Sequence, residues 1–432
     1  MRTIGQHREA VQALVEPALP GGRGAGSGSA SASASASAPV ETVSVVDLAV
    51  ASGAGRGYRV LATAVPAPTP LPAFNNSQMD GFAVRAADAG TTLRVVAPIP
   101  AGLVPPPLEP GTAAPIMTGA RIPDGADAVF PVESTPAGAF PAALDADVVP
   151  VPDDLAAGTF VRVAGSDLRA GAAIARAGQP VTPAVLGALA GAGVATVDVV
   201  RRPRVIVVST GSELLDDGGV GTAGDLRDGA AIGDANGVAL SAAFAEVGVE
   251  TRRVRVPDDA ERFVDALDQA VGEWADVVLT TGGISAGAYE VVRQALEPRG
   301  LQVTPVAMQP GGPQALGSVV IAGRPVPVVA FPGNPVSALV SFEVFLRPVL
   351  ARAAGLPGAR PSDDLPSADT ATSPAGKHQV RRGTIVDGRV QFVGGPSSHL
   401  LWHYAEATHL VHVPVGTSQV DPGDVLTVWS IR

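Results

Sequence analysis

Between residues 203 and 355 the sequence alternates strand patterns with amphipathic helix patterns, and this alternation constrains the fold more than any other feature. Apolar runs such as RVIVVST (204–210) and ADVVLT (275–280) are typical of strands covered on both faces. The segment 259–274 repeats its apolar residues at helical spacing: Phe263, Val264, Leu267, Val271 and Trp274. Such alternation predicts a parallel, doubly wound α/β sheet with helices on both faces and right-handed crossovers.

Three polar or glycine-rich loops follow strands of this predicted sheet: STGSEL (209–214), TTGGISAG (280–287) and FPGNPVSA (331–338). Glycine has no Cβ, so the backbone N–H groups of such loops can approach a bulky anion. A single loop of this kind is equally explained as a tight turn with nothing bound. Because ligands bind at the carboxyl ends of parallel strands, three such loops at one edge predict one shared pocket.

The composition excludes several classes of function. The formal net charge is −11 and there is no basic run, so binding to nucleic acid or to an anionic membrane is not expected. The 432 residues contain no cysteine, which excludes disulfides and thiolate chemistry. No run reaches the ~18 apolar residues of a membrane span, and the amphipathic segment 1–19 carries Glu9 and Glu16, unlike a secretory signal. We expect a cytoplasmic protein with small-molecule or protein partners.

The rest of the chain predicts smaller regions. Residues 20–38 have low complexity and predict a flexible connector. Residues 42–53 have helical spacing that ends in glycine, and 181–200 predict a helix followed by a strand. Short Val and Leu segments broken by Pro and Gly predict a small β-rich lobe within 91–162, and similar segments occupy 377–432.

Several motifs accompany the three loops along the chain: NNSQMDGFAV (75–84), IMTGARIPDGADAVFPVE (116–133), GSDL (165–168), RRPRVIVVSTGSEL (201–214) and SSHLL (397–401). In this order they resemble the molybdopterin molybdenumtransferase family, known as MoeA in bacteria and as the E domain of gephyrin in animals. The resemblance extends over nearly the whole chain, and it implies both an architecture and an activity.

The implied architecture is a multidomain α/β protein. The central parallel, doubly wound domain would cover 201–355, with an inserted β-rich lobe at 72–162. A C-terminal β-barrel-like domain would cover 358–432. Residues 1–71 and 163–200 would form a discontinuous, elongated N-terminal domain of helical and extended segments. The resemblance also implies a homodimer.

The implied activity is the last step of molybdenum cofactor synthesis. Such an enzyme takes adenylylated molybdopterin, inserts molybdenum from molybdate and hydrolyses off AMP with the assistance of Mg²⁺. The implied partners are adenylylated molybdopterin, molybdate and the apo-molybdoenzymes that receive the cofactor. Nucleic acid and membranes are not among them.

A substrate with a pyrophosphate group needs backbone donors and neutral hydrogen-bonding side chains. Asn334 can both donate and accept, although it can equally cap the helix that follows. Arg382 and Ser398 match positions that approach the site from the partner subunit in the family, although surface arginines are common. The candidate substrate-binding residues are Gly282, Gly283, Ser285, Gly287, Pro310, Gly311, Pro332, Gly333, Asn334, Arg382 and Ser398.

Carboxylates in glycine-rich settings are candidates for catalysis and for binding Mg²⁺, which prefers oxygen ligands. Their alternative role is to accept hydrogen bonds from loop amides, and Thr118 can bind an oxyanion or cap a turn. With the family match, the candidate catalytic residues are Asp80, Thr118 and Glu213. The candidate metal ligands are Asp80, Glu213, Asp258 and Glu290, of which Asp258 is equally explained as the cap of a helix over 259–273.

Two departures from the family pattern concern charge. The family typically has Lys-Pro-Gly-Lys-Pro where this chain has MQPGGP (308–313), so Gln309 and Gly312 replace both cations. This loss should weaken anion binding and transition-state stabilisation. Ala288 and Glu290 stand where the family has acidic residues, usually including aspartate, and Arg293 stands where lysine is common.

Two functions therefore remain open: an active molybdenumtransferase with a variant anion site, and a catalytically weakened paralogue that acts as a molybdopterin-binding scaffold. The single-domain molybdopterin adenylyltransferases are a poorer match because this chain has the additional segments 72–162 and 377–432. A dinucleotide-dependent dehydrogenase is poorer still, because no G-x-G-x-x-G motif follows the 204–209 strand.

Overall fold

The computed structural model describes residues 1–20, 39–52, 58–211, 214, 232–256, 259–284 and 290–432. The chain divides into two compact units. Unit 1 comprises Met1–Glu41, Val50–Ala62 and Asp198–Arg432, and unit 2 comprises Thr42–Ala49 and Thr63–Val197. Over the described ranges, no helix has the combination of length and apolar character that crossing a membrane requires.

The helices of the described residues, in chain order, are α1 (Ile4–Val15), α2 (Val45–Ser52), α3 (Phe140–Leu144), α4 (Pro183–Gly191), α5 (Ala235–Glu246), α6 (Ala260–Val271), α7 (Val291–Leu296), α8 (Pro335–Ser341), α9 (Arg347–Ala353) and α10 (Leu401–Glu406). A π-helical turn, Phe342–Leu346, joins α8 to α9.

The strands of the same residues are β1 (Val40–Ser44), β2 (Val65–Pro66), β3 (Asn76–Ser77), β4 (Gly81–Val84), β5 (Thr92–Val95), β6 (Thr112–Ile116), β7 (Ala128–Pro131), β8 (Val148–Pro150), β9 (Val161–Arg162), β10 (Ala173–Ala175), β11 (Thr196–Val200), β12 (Arg204–Thr210), β13 (Glu250–Val256), β14 (Val277–Thr281), β15 (Gln302–Pro305), β16 (Met308–Gln309), β17 (Pro313–Ile321), β18 (Arg324–Phe331), β19 (Ser362–Pro366), β20 (Ala371–Thr372), β21 (His378–Val386), β22 (Arg389–Phe392), β23 (His409–Val413), β24 (Gln419–Val420) and β25 (Val425–Ser430).

The central sheet of unit 1 has the strand order β13-β12-β14-β18-β17-β15. The first four strands are parallel, with Val207 opposite Leu279 and Leu279 opposite Val329. The prediction of a parallel α/β sheet is confirmed for these strands. The sequence pattern did not foresee that β17 and β15 extend the sheet through antiparallel pairing, β17 with β18 and β15 with β17.

The two faces of this sheet are covered by different helices. Successive residues of β12 point to opposite faces, so Val207 packs with Phe244 of α5 whereas Ile206 packs with Phe263 of α6. Residues Val205 to Val208 are fully buried, which explains the uninterrupted apolar run of this strand. Helix α1 packs on the same side of the sheet as α5.

Two predicted helix boundaries change in the structure. The segment 42–53 is not helical throughout, because residues up to Ser44 belong to β1 and the helix begins at Val45. Helix α6 is capped by Asp259, whose side chain accepts hydrogen bonds from the N–H groups of Glu261 and Arg262. The sequence had assigned this cap to Asp258, which lies outside the described residues.

Replacing Asp259 with alanine is expected to lower the free energy of unfolding of unit 1 by about 1 kcal/mol, because two N–H groups at the start of α6 lose their acceptor. The exposed Asp265 of the same helix offers a matched control, because Asp265→Ala removes the same charge without removing a cap. Urea denaturation of the two variants provides the comparison. Equal stabilities would contradict the assignment of the cap.

The C-terminal part of unit 1 forms a second sheet, with the order β16-β21-β23-β25-β19 and with β22 beside β21. Its core contains Val390, Val411, Val413, Leu426 and Val428. Strand β16 belongs to the turn at 308–313 and pairs in parallel with the start of β21. This pairing attaches the turn to the C-terminal sheet.

Unit 2 contains a five-stranded sheet with the order β7-β4-β6-β5-β8. Phe82 of β4 lies opposite Phe130 of β7, and their rings stack with centroids 5.6 Å apart. Gly81 of β4 lies opposite Ile116 of β6, so the residues just before β4 and just after β6 lie at one edge of the sheet. That edge carries two of the predicted site residues.

Candidate functional site

The carboxyl ends of β12, β14 and β18 surround a cavity of about 580 Å³ in unit 1. These are adjacent parallel strands, so their three terminal loops meet at one edge of the sheet. The described residues that line it are Ser209, Thr210, Gly211, Leu214, Ile232, Gly233, Asp234, Ala235, Asn236, Thr281, Gly282, Gly283, Ile284, Glu290, Pro313, Pro332, Gly333, Asn334 and Pro335. We call it the strand-end cavity.

Two glycines allow the loops of β14 and β18 to touch. A Cβ atom added to Gly333 would lie 3.2 Å from the Cα of Gly282, which is closer than almost all observed Cβ contacts. Gly282 has φ +85°, and its N–H donates to the carbonyl of Phe331 over 3.1 Å. A Cβ at Gly333 would force the two loops apart by a few tenths of an ångström, so their packing favours bare backbone even with no ligand bound.

The start of α5 contributes two side chains that the sequence analysis missed. Asp234 is buried, and its Oδ1 caps α5 by accepting from Gly237 N at 2.7 Å. Its Oδ2 accepts from Ser209 Oγ at 2.8 Å, which ties α5 to the end of β12. Asn236 Nδ2 donates to the carbonyl of Gly333 at 2.7 Å. An aspartate just before a predicted helix is a capping signal that could have identified Asp234.

A second cavity, of about 330 Å³, adjoins the first and shares three lining residues with it: Pro313, Pro332 and Asn334. The turn at 308–313 contributes Gln309, Pro310 and Gly311, and the C-terminal sheet contributes Pro396, Ser397 and Ser398. We call it the turn cavity. The predicted residues Pro310, Gly311 and Ser398 therefore meet Pro332 and Asn334 of the same chain.

Hydrogen bonds from neighbouring segments fix three residues that line the turn cavity: Gln309, Gly311 and Ser398. Gln379 Nε2 donates to Gln309 Oε1 at 2.7 Å, so the Gln309 amide is oriented by the C-terminal sheet. Gln314 Nε2 donates both to the carbonyl of Gly311 and to Ser341 Oγ. The carbonyl of Ser398 accepts from the N–H of Val336 at the start of α8. The turn and the 396–398 segment are thus fixed to the strand-end loops.

Arg382 lies behind the turn cavity and lines neither cavity. It is only 1% exposed, and its guanidinium donates to the carbonyls of Gly395 and Ser397. Burial, together with the nearby Arg381, lowers the pKa of Arg382 to about 10, so the group stays charged at neutral pH. Within its own chain the guanidinium holds two carbonyls of the 395–397 segment, and its predicted approach to the substrate from the partner subunit stays a prediction.

Asp80 and Thr118 come together in unit 2, although they are 38 positions apart. Asp80 Oδ1 accepts from both the N–H (2.7 Å) and the hydroxyl (2.8 Å) of Thr118. Both residues are exposed, and Asp80 Oδ2 accepts no hydrogen bond from the described residues. The predicted turn-capping role of this pair is therefore present, and one carboxylate oxygen still faces solvent.

The candidate metal ligands are distributed between the two units. Glu290 lines the strand-end cavity together with Asp234. Glu213 and Asp258 lie outside the described residues, as do the predicted substrate contacts Ser285 and Gly287. Within the described ranges, no group of three acidic or histidine side chains could hold a metal by itself. Mg²⁺ commonly takes one or two carboxylates plus substrate phosphates and water, and carboxylate side chains are among the lining residues of this cavity.

Comparisons with known proteins give one consistent result. Residues 9–193 match a family model described as the MoeA N-terminal region (domain I and II), and residues 206–352 match a "probable molybdopterin binding domain". The chain is 42% identical to Molybdopterin molybdenumtransferase 2 of Mycobacterium tuberculosis (strain ATCC 25618 / H37Rv) over 381 residues, which cover 84% of this chain and 89% of that protein.

Further relatives agree. Molybdopterin molybdenumtransferase 1 of the same strain is 34% identical over 394 residues, with 83% of this chain and 88% of that protein covered. The crystal structure of a molybdopterin biosynthesis MoeA protein from Pyrococcus horikosii is similar, with a TM-score of 0.72 and 26% identity. That match covers 100% of this chain and 99% of the other chain.

Proposed function

Because this chain belongs to the MoeA family, we propose that it is a molybdopterin molybdenumtransferase, which inserts molybdenum from molybdate into adenylylated molybdopterin and releases AMP. The observation that carries this proposal is the junction of two cavities. The strand-end cavity and the turn cavity share Pro313, Pro332 and Asn334, so the two spaces adjoin. A reaction that joins a large phosphorylated substrate to a small oxyanion needs two such adjoining compartments.

The strand-end cavity suits the larger substrate. Its volume of about 580 Å³ falls within the usual range for small-molecule sites. Gly282, Gly283 and Gly333 line this cavity with backbone alone, and the absence of side chains at glycine lets a pyrophosphate approach the main chain. Thr210 and Asn334 supply hydrogen-bonding groups at the rim. The structure thus offers neutral donors for the phosphates in place of a cluster of cations.

The turn cavity suits molybdate. Ser397 and Ser398 bring hydroxyl groups, and Gln309 brings an amide whose Oε1 is already engaged by Gln379. Because Gln309 Oε1 accepts that hydrogen bond, the Nε2 group of the same amide remains available as a donor. Neutral donors of this kind can bind an oxyanion where the turn itself carries no lysine. Arg382 acts here as a positioning residue for the 395–398 segment.

We further propose that Mg²⁺ assists the reaction and that Glu290 helps to hold it beside the substrate phosphates. Glu290 lines the strand-end cavity and supplies a carboxylate, the type of oxygen ligand that Mg²⁺ prefers. Mg²⁺, when bound, neutralises charge on the phosphate oxygens. The family resemblance additionally supports roles for Glu213 and Asp258, a homodimer, and delivery of the product to apo-molybdoenzymes.

A molybdopterin-binding scaffold with weakened catalysis is the second candidate. The specific observation in its favour is the turn at 308–313, where Gln309 and Gly312 offer no positive charge. Such a protein would keep the strand-end cavity, because, of the turn residues, only Pro313 lines it, whereas its glycines and Asn334 belong to other loops. It would bind the substrate without converting it.

The test is conversion of adenylylated molybdopterin and molybdate by the purified protein with Mg²⁺. We expect release of AMP and formation of cofactor that activates an apo-molybdoenzyme, both at rates far above a reaction without protein. Substrate binding is measured in parallel by calorimetry. Tight binding with cofactor formation at the protein-free level would favour the scaffold, and absence of both would refute the two candidates together.

A further inference from the structure

A third cavity, of about 360 Å³, borders the turn at 308–313. It shares Ile284 and Pro313 with the strand-end cavity, so the two spaces adjoin. Gly312 lines it, together with two cationic side chains, Arg293 and Lys377. We call it the cationic cavity.

Lys377 is the only lysine in the 432-residue chain, whose other basic side chains besides histidine are arginines. Its backbone N–H donates to the carbonyl of Pro374 at 2.9 Å. The next residue, His378, donates its N–H to the carbonyl of Ala307, also at 2.9 Å. These bonds fix Lys377 beside the turn.

The ammonium group of Lys377 has no acidic partner among the described residues, and its side chain is half-buried. Arg293 does have a partner, because its guanidinium lies 3.0 Å from Glu297 at the surface. The N–H of Arg293 donates to the carbonyl of Gly283 in the β14 loop, so the start of α7 is attached to the strand-end cavity. An unpaired cation and a second cation thus line one space next to the proposed active site.

We propose that the cationic cavity is a subsite for a tetrahedral oxyanion, with Lys377 as its principal charge and Arg293 as the second. A lysine ammonium binds phosphate-like anions as a compact point charge with three donors. The assignment of the anion as molybdate or as a phosphate of the substrate rests on the proposed function. The electrostatic argument for an anion subsite does not depend on the proposed function, because it uses only the positions of Lys377 and Arg293.

The direct test measures binding of molybdate and of inorganic phosphate, separately, by calorimetry. In Lys377→Met we expect the affinity for at least one anion to fall about tenfold, whereas Lys377→Arg should stay within about twofold of the unchanged protein. Arg299→Gln, which removes an exposed cation that lines none of the three cavities, is the charge-matched control. Urea denaturation of each variant checks that the fold is intact.

Loss of molybdate affinity alone would identify the subsite as part of the molybdate path, and loss of phosphate affinity alone would identify it as a substrate-phosphate site. Equal affinities in Lys377→Met and the unchanged protein for both anions would overturn the subsite. The same conclusion would follow if the unchanged protein bound neither anion.

A rescue experiment uses the geometry of Gly312. A Cβ at this position would lie 3.5 Å from the carbonyl oxygen of Met308 and 3.6 Å from that of Val306, which are ordinary contacts. By contrast, Gly311 has φ +94° and leaves only 3.1 Å to Ser341 Oγ. We therefore expect Gly312→Lys to restore anion binding to the Lys377→Met protein, whereas Gly312→Met in the same background should not. Failure of the lysine to restore binding would contradict the proposal.

These titrations do not involve molybdenum transfer. A protein that binds anions through Lys377 but forms no cofactor would refute the proposed function and retain the subsite. If the unchanged protein forms cofactor and Lys377→Met binds both anions as the unchanged protein does, the subsite is refuted and the proposed function is retained.

Discussion

Replacing Asp80 with asparagine is expected to lower the rate of molybdenum transfer about 1000-fold while leaving the stability of unit 2 unchanged. Asparagine can present its carbonyl oxygen to the N–H and hydroxyl of Thr118, so both hydrogen bonds of the native pair survive. Only the negative charge is lost. A carboxylate that binds metal or accepts a proton cannot be replaced by a neutral amide.

The measurement is the initial rate of AMP release, with urea denaturation as the test of stability. Thr118→Val supplies the matched control, because it removes the hydroxyl donor and keeps both the N–H donor and the charge of Asp80. We expect that variant to lose only about tenfold in rate. A rate for Asp80→Asn within twofold of the unchanged protein would leave the pair with a purely structural role.

Replacing His7 with phenylalanine is expected to protect unit 1 from acid. His7 of α1 is fully buried against Phe345, with ring centroids 4.7 Å apart, and neither ring nitrogen has a hydrogen-bond partner. Burial, and secondarily the charge of Arg2, lowers the pKa of His7 from 6.5 to about 4. The unfolded chain binds a proton near pH 6.5, whereas the folded protein does so only near pH 4. Stability is therefore lost progressively as the pH falls through this window.

The loss attributable to His7 amounts to about 3 kcal/mol at pH 4, because one unit of pKa corresponds to about 1.4 kcal/mol. Phenylalanine has a similar shape and does not titrate, so the variant should show little of this loss. Urea denaturation at pH 8 and at intervals down to pH 4 is the measurement, and the gap between the two proteins should open below pH 6.5. A gap that is constant with pH would show that His7 titrates normally in the folded protein.

The sequence alone predicted the part of the fold that depends on local pattern. β12 and β14 were predicted because strands covered on both faces have uninterrupted apolar runs, which Val205 to Val208 illustrate. The shared pocket also followed from the sequence, because parallel strands place their carboxyl ends at one edge. The family resemblance selected Asp80 and Thr118 as candidates without showing that they are hydrogen-bonded to each other.

The tertiary structure decided what depends on pairing between distant segments. Gly81 opposite Ile116 brings Asp80 to Thr118, and the β16–β21 pairing brings Lys377 beside Gly312. Neither arrangement produces a periodic pattern in the sequence, because the identity of a single residue does not indicate which distant strand will pack beside it. The sequence thus determined which elements form and which loops share an edge. Strand order and register decided which charges and hydrogen-bonding groups meet there, since these are set by packing of the whole unit.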